Sequence, residues 1–158
     1  MSDSNGTRFF EDFEPGQTFD LGSYPPLRED DIITFARQWD PQYFHVDPEA
    51  AKDSMFKGLV ASGWHTCVIL MNLFVTNFPG LGASQGSPGL DNVRFIRPVR
   101  PGDSLTGRLT VLDTQASSSR PGSGKVQTRM ELLNQEGELV CSVQAWGFYA
   151  RRSPALGG

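Results

Sequence analysis

The first half of the chain shows a helical spacing of apolar residues ahead of a short capped segment. Between Arg28 and Trp39, acidic residues fill the first turn, where the helix dipole favours negative charge. Further on, Asp47 followed by Pro48 is typical of an N-cap and the first helical position. We therefore predict a helix over 28–39 and a short helix opening at Pro48. The apolar face of the first helix consists of Ile32, Phe35, Ala36 and Trp39.

The second half changes to a period of two, which is the spacing of half-buried strands. Every second residue of Leu105–Val111 and of Val126–Leu132 falls on one face. Asn134–Gly137 suits a hairpin loop into a long final strand, and Gln17–Tyr24 suits a first strand. We count five strand patterns in all. Long antiparallel strands around one central helix predict an α+β fold rather than a parallel one.

The segment Ser62–Phe78 is apolar on most faces of a helix, which predicts burial on all sides. It does not suit a membrane span, which needs about 20 mostly apolar residues. This run is shorter and contains polar residues, namely His65, Thr66, Asn72, Thr76 and Asn77. A long helix wrapped by a curved antiparallel sheet satisfies these conditions, and that arrangement is the hot-dog fold.

Composition narrows the function classes. With 158 residues the chain is long enough for one domain with a real core, which we place at residues 7–152, with flexible ends at 1–6 and 153–158. A net charge of -4 argues against nucleic-acid binding. No basic and apolar leader is visible at the start, and Cys67 and Cys141 lie in apolar runs without metal-type spacing. We predict a cytoplasmic protein with reduced cysteines and no bound metal.

Asp40 and His45 lie five residues apart, directly after the first predicted helix. A carboxylate and an imidazole on one short turn can hold a water between them and remove its proton. The alternative is a solvated loop in which Asp40 only terminates the helix. Spacing alone leaves both interpretations open.

Ser62, Gly63 and Trp64 begin the long apolar helix. The amide of Gly63 would be one of the unpaired N–H groups at the positive end of that helix, and it suits a carbonyl oxygen that gains negative charge. Ser62 alone could cap the helix, and the two roles are compatible. We expect His65 to pack or to form an outer hydrogen bond, and Cys67, without a base, to be inert.

A basic cluster follows in Leu90–Leu105, formed by Arg94, Arg97 and Arg100. In an acidic protein these arginines could contact the phosphates of coenzyme A. The alternative is that they are ordinary solvated side chains at strand ends.

Three segments in this order, DPQYFHVD, GLVASGWHT and LDNVRFIRPVRPGDSL, resemble the MaoC-like dehydratase family, which includes the (R)-specific enoyl-CoA hydratases. The resemblance covers about Phe10 to Arg152 and implies the hot-dog fold. It also implies that Asp40 and His45 form the hydratase dyad and that Gly63 supplies the oxyanion amide. The commoner motifs have Asn-Pro inside the dyad turn and His-Gly-Met at the helix entry. Because Tyr43 and Trp64 depart from them, we expect an altered acyl pocket.

The resemblance further implies reversible hydration of an enoyl thioester in fatty acid metabolism. The substrate would be carried on coenzyme A or an acyl carrier protein, and no cofactor is expected beyond that thioester. Membrane and nucleic-acid partners are not expected, and open sheet edges favour a homodimer or a higher even oligomer. Two alternatives stay open: a hot-dog thioesterase, and a non-catalytic subunit that binds acyl thioesters.

Overall fold

A computed structural model describes residues 6–153 of the protein. Five antiparallel strands form one sheet in the order β1-β3-β4-β5-β2. The strands are β1 (Thr18–Tyr24), β2 (Gly89–Phe95), β3 (Leu105–Ala116), β4 (Ser123–Leu133) and β5 (Leu139–Ala150). The predicted α+β hot-dog fold is confirmed. Nearly all of the two ends predicted to be flexible lie outside the described residues.

Four α-helices accompany the sheet: α1 (Glu29–Trp39), α2 (Tyr43–Val46), α3 (Pro48–Ala51) and α4 (Gly63–Asn77). Asp47 caps α3 by accepting hydrogen bonds from the N–H groups of Glu49 and Ala50, as its sequence predicts. The single turn α2 was not predicted, because its four residues are too few to show a helical period. α4 crosses the sheet and packs against β1, β3, β4 and β5.

The core lies between α4 and one face of the sheet. The alternating residues of β3 and β4 that the sequence assigns to one face are buried there, and the α4 residues Ile69, Leu70 and Leu73 pack onto them. Burial of this apolar surface supplies the main driving force for the fold. None of the helices in residues 6–153 is long and apolar enough to cross a membrane.

The prediction that α4 is buried on all sides is wrong. One stripe of the helix is exposed along its whole length and consists of Trp64, Val68, Met71 and Val75. A single sheet covers only one side of a helix, and no second layer formed by residues 6–153 covers the other. The edge strand β2 is exposed as well, with apolar side chains at Leu90 and Phe95, and Ile96 directly after the strand is also exposed.

Candidate active site

The dyad turn begins where α1 ends. Asp40 closes that helix, with its N–H donating to the carbonyl of Ala36, and α2 then carries His45 back towards it. His45 Nε2 lies 3.4 Å from Asp40 Oδ2. His45 is 6% exposed, whereas the Asp40 side chain keeps 18% of its surface exposed. The structure therefore brings together the two residues that sequence spacing only suggested.

His45 is oriented by its other ring nitrogen. Nδ1 lies 2.6 Å from the carbonyl oxygen of Val60, which can only accept a hydrogen bond. Nδ1 must therefore carry the hydrogen, and in the neutral ring Nε2 presents its lone pair towards Asp40. The N–H of Val60 in turn donates to the carbonyl of Phe44, which ties the segment before α4 to the dyad turn.

Both carboxylate oxygens of Asp40 accept hydrogen bonds. Ser62 Oγ donates to Oδ2 at 2.7 Å, and Gln42 Nε2 donates to Oδ1 at 2.8 Å. Burial raises the pKa of Asp40, but these two bonds and the nearby His45 outweigh burial and lower that pKa below its ordinary value. Asp40 is consequently an anion at neutral pH, with its Oδ2 beside Nε2 of His45. Whenever Nε2 carries no hydrogen, Oδ2 and Nε2 are two acceptors 3.4 Å apart that can share the hydrogens of one water.

Ser62 links this pair to the start of α4. Its hydroxyl donates to Asp40 and accepts from the N–H of Trp64 at 3.3 Å, so it caps the helix and holds the carboxylate at once. The side chain is fully buried. The predicted cap is confirmed, and the bond to Asp40 is an addition that sequence could not show.

Gly63 is the first residue of α4 and lines the cavity beside the dyad. Within residues 6–153 no acceptor takes its N–H, as expected at the first position of a helix. A Cβ built on Gly63 would lie 2.6 Å from Cζ of Phe95, so the phenyl ring covers this backbone closely. Only glycine leaves Phe95 where it is.

The cavity has a volume of about 470 Å³. The dyad, Gln42, Thr66 and Arg97 contribute its polar part, and the remaining wall is mostly apolar, which suits an acyl group placed against a few polar atoms. Its apolar and aromatic wall includes Phe44, Phe56, Val60, Ala61, Trp64, Phe95, Ile96, Pro98, Val99 and Val140.

A family model described as the MaoC like domain matches residues 11–134. The chain belongs to this family. A MaoC-like dehydratase from Rhodospirillum rubrum superposes with a TM-score of 0.85 at 41% identity, over 92% of this chain and 99% of the other. A Mycobacterium tuberculosis protein with a double hotdog fold superposes with a TM-score of 0.76 at 19% identity, covering 97% of this chain and 47% of the other, and shows the fold alone.

Two curated relatives are named for their activity. An (R)-specific enoyl-CoA hydratase from Rhodospirillum rubrum is 33% identical over 65% of this chain and 69% of its own length. A mesaconyl-CoA hydratase from Haloarcula marismortui is 32% identical over 93% of this chain, which spans only 41% of that relative. The MaoC-like chain thus resembles hydratases that are named for different acyl groups.

Two residues expected to shape the acyl pocket of this MaoC-like domain lie in different places. Trp64 lines the cavity and also borders a surface groove formed with Phe35, Trp39 and Val68, and 61% of its surface is exposed. The structure places Tyr43 outside the cavity lining and half exposed, where it packs edge-on against Phe44.

The three arginines are separated by the fold. Arg97 lines the cavity and pairs with Glu138 at 3.1 Å. Arg100 donates to the carbonyl of Phe56 at 2.6 Å and so supports the loop on one side of the cavity. Arg94 lies next to Phe95 in β2, and strand alternation directs it to the opposite face of the sheet. Of the three, only Arg97 borders the site.

Sequence reasoning missed the partners that orient this site. The contacts of Val60 with His45 and of Phe95 with Gly63 join distant segments and leave no local signal. Gln42 did have a signal, since its amide stands two residues from the carboxylate.

Cys67 also has a neighbour that sequence did not reveal: interaction with Cys141 lowers the pKa of Cys67 and raises that of Cys141.

Proposed function

We propose that the protein catalyses the reversible hydration of a trans-2-enoyl thioester. The observation that carries this proposal is the arrangement of Asp40 and His45, with Oδ2 and Nε2 3.4 Å apart at the wall of a mostly apolar cavity. The family membership and the two relatives named as hydratases support the same class of reaction.

In the proposed reaction, water donates one hydrogen to Asp40 and the other to Nε2 of His45. This leaves an oxygen lone pair for attack on Cβ of the substrate. One member of the dyad takes a proton from water as the C–O bond forms and then passes a proton to Cα, so that H and OH of one water add across the double bond without net proton release. The charged form of His45 would be stabilised by the Asp40 carboxylate beside it.

The Gly63 N–H completes the proposed mechanism. Charge moves to the thioester oxygen as water adds, and an unpaired amide at a helix N-terminus stabilises such an oxyanion. Because the thioester already acidifies Cα, the residues present supply each step with no further cofactor, which stays a prediction. Arg97 at the cavity edge is the side chain best placed to meet a phosphate of coenzyme A.

One assay separates this proposal from a thioesterase. With crotonyl-CoA, hydration removes the enoyl absorbance and leaves the thiol bound, whereas a thioesterase releases free thiol. We expect loss of absorbance without thiol. Thiol release would assign the water attack to the carbonyl carbon, and tight binding without turnover on any acyl thioester would indicate a binding subunit.

We also propose a homodimer in the cytoplasm that acts in fatty acid metabolism. Apolar side chains of β2 and of the exposed α4 stripe border the same cavities, Phe95 with Trp64 and Leu90 with Met71 and Val75, and an unpaired strand edge with apolar neighbours favours association. Light scattering should give twice the chain mass of 17.4 kDa. A monomer at micromolar concentration would contradict the dimer and leave the proposed chemistry open.

A further inference from the structure

We propose that Gln42 is a positioning residue that sets the rotation of the Asp40 carboxylate towards His45 and the attacking water. This inference rests on the proposed hydration for its kinetic part only. Its structural part, the hold of one side chain on another, can be tested without any substrate.

Gln42 is connected to both members of the dyad. Its N–H donates to the carbonyl of Asp40 at 2.8 Å, and its own carbonyl accepts from the N–H of His45 at 2.9 Å. Its backbone is extended and forms the N-cap of α2, so the side chain is free to turn back rather than continue along a helix. The side-chain amide then donates to Asp40 Oδ1 at 2.8 Å.

The carboxylate needs two such bonds to be fixed. The terminal torsion of an aspartate is broad, so a single hydrogen bond leaves the group free to turn about the bond to its Cβ. Ser62 donates to Oδ2 from the start of α4, and Gln42 donates to Oδ1 from two residues further along the dyad turn. Rotation would break both bonds. Oδ2 is thereby kept 3.4 Å from Nε2 of His45.

This arrangement divides the work of the dyad. Each carboxylate oxygen of Asp40 already accepts one hydrogen bond from a protein donor. No protein donor among residues 6–153 forms a hydrogen bond to Nε2 of His45. His45 is therefore the better acceptor for the proton of water, and Asp40 the anchor that orients the water. A misplaced anchor would slow the chemical step without weakening substrate binding, because reaction rate depends steeply on the attack geometry.

The test variant is Gln42→Met, which keeps the length of the side chain and removes its donor. Gln42→Asn is the conservative variant that keeps an amide. Gln38→Met is the matched control, because Gln38 is an exposed glutamine of α1 with no bond to the site. Each protein is measured for kcat and KM on crotonyl-CoA, for urea stability, and for the titration of the Asp40 carboxyl carbon by NMR.

For Gln42→Met we expect kcat to fall about tenfold with KM changed less than about twofold, as for loss of an interaction made in the transition state. The Asp40 titration should move to higher pH, because a bond that favours the carboxylate is lost. Gln42→Asn should recover part of both effects, and Gln38→Met should change neither. In an Asp40→Asn background the effect of Gln42→Met on kcat should largely disappear.

Three results would overturn the inference. They are an unchanged Asp40 titration in Gln42→Met, a loss of stability with unchanged kcat, and an undiminished loss of kcat in the Asp40→Asn background. The last would show that Gln42 acts on water or substrate directly. If no enoyl thioester is hydrated, the proposed function fails, and the titration alone then decides whether Gln42 holds Asp40.

Discussion

The two histidines of this chain are equally buried but differ in everything else. His45 is 6% exposed and His65 is 7% exposed. His45 has one ring nitrogen on the Val60 carbonyl and the other facing Asp40. His65 instead stacks on Phe35, with ring centroids 4.4 Å apart, and its buried Nδ1 has no hydrogen-bond partner within residues 6–153.

The difference indicates that hydrogen-bond and charge partners, rather than burial, suit an imidazole to the chemical role proposed for His45. Two chain segments meet His45 on α2: the end of α1, which carries Asp40, and the segment through Val60. His65 lies in the first turn of α4, where the nearest ring is an apolar one from α1. Burial lowers the pKa of His65, and Asp31 offsets this only in part, so His65 stays neutral at neutral pH.

Loss of the dyad should produce the largest effect. Asp40→Asn and His45→Ala should each lower hydration turnover by about two to four orders of magnitude, which is the range for general acid–base groups. His65→Ala is the matched control and should keep turnover within about twofold while losing stability. Steady-state kinetics measures the turnover of each variant, and urea unfolding measures its stability. Equal losses of activity in His45→Ala and His65→Ala would erase the distinction between the two histidines.

Gly63→Ala should have the next largest effect. The added Cβ would come within 2.6 Å of the Phe95 ring, so the ring or the start of α4 must move. We expect kcat to fall about tenfold to a hundredfold, which is less than the loss of about a hundredfold to a thousandfold on removal of an oxyanion donor, because the amide is displaced rather than removed. Adding Phe95→Ala should recover part of this loss by opening the space. Failure of that double variant to recover activity would indicate that Phe95 is not the obstacle.

Trp64→Met tests the rim of the cavity rather than its chemistry. If the indole limits the acyl channel, the variant should gain kcat/KM on longer straight chains by about tenfold for each 1.4 kcal/mol of clash relieved. Four-, six- and eight-carbon enoyl thioesters are compared with the parent protein. An equal change at every length would mean that Trp64 does not select the acyl group.

The smallest effect concerns the pH dependence of stability. The folded pKa of His65 lies below its ordinary value of 6.5, so the unfolded chain binds the proton more readily. Proton binding by His65 in the unfolded chain therefore lowers the free energy of unfolding as pH falls below about 6.5, and it has no effect well above that pH. His65→Phe keeps the stack on Phe35 and removes the titration. Urea unfolding gives the free energy of unfolding of His65→Phe and of the parent at pH 7.5 and 5.5. The variant should gain stability relative to the parent at the lower pH.

Sequence periodicity was sufficient for the α+β fold and for the elements that build it. The alternation in β3 and β4, the acidic first turn of α1 and the cap at Asp47 are local patterns, and each depends on residues a few positions apart. The position of Asp40, His45 and Gly63 was also accessible, because the resemblance rests on three segments in order. Periodicity failed at α2, which is too short, and at the exposed side of α4.

Only the tertiary structure decided which side chains and backbone groups meet. Val60 sets the tautomer of His45, Ser62 and Gln42 hold Asp40, and Phe95 covers Gly63. All but the Gln42 bond join positions 15 or more residues apart, and a pattern along the chain carries no record of such pairs. The exposed stripe of α4 has the same explanation. The hydrophobicity of a residue gives its preference for burial, whereas the packing of the sheet decides whether another element covers it.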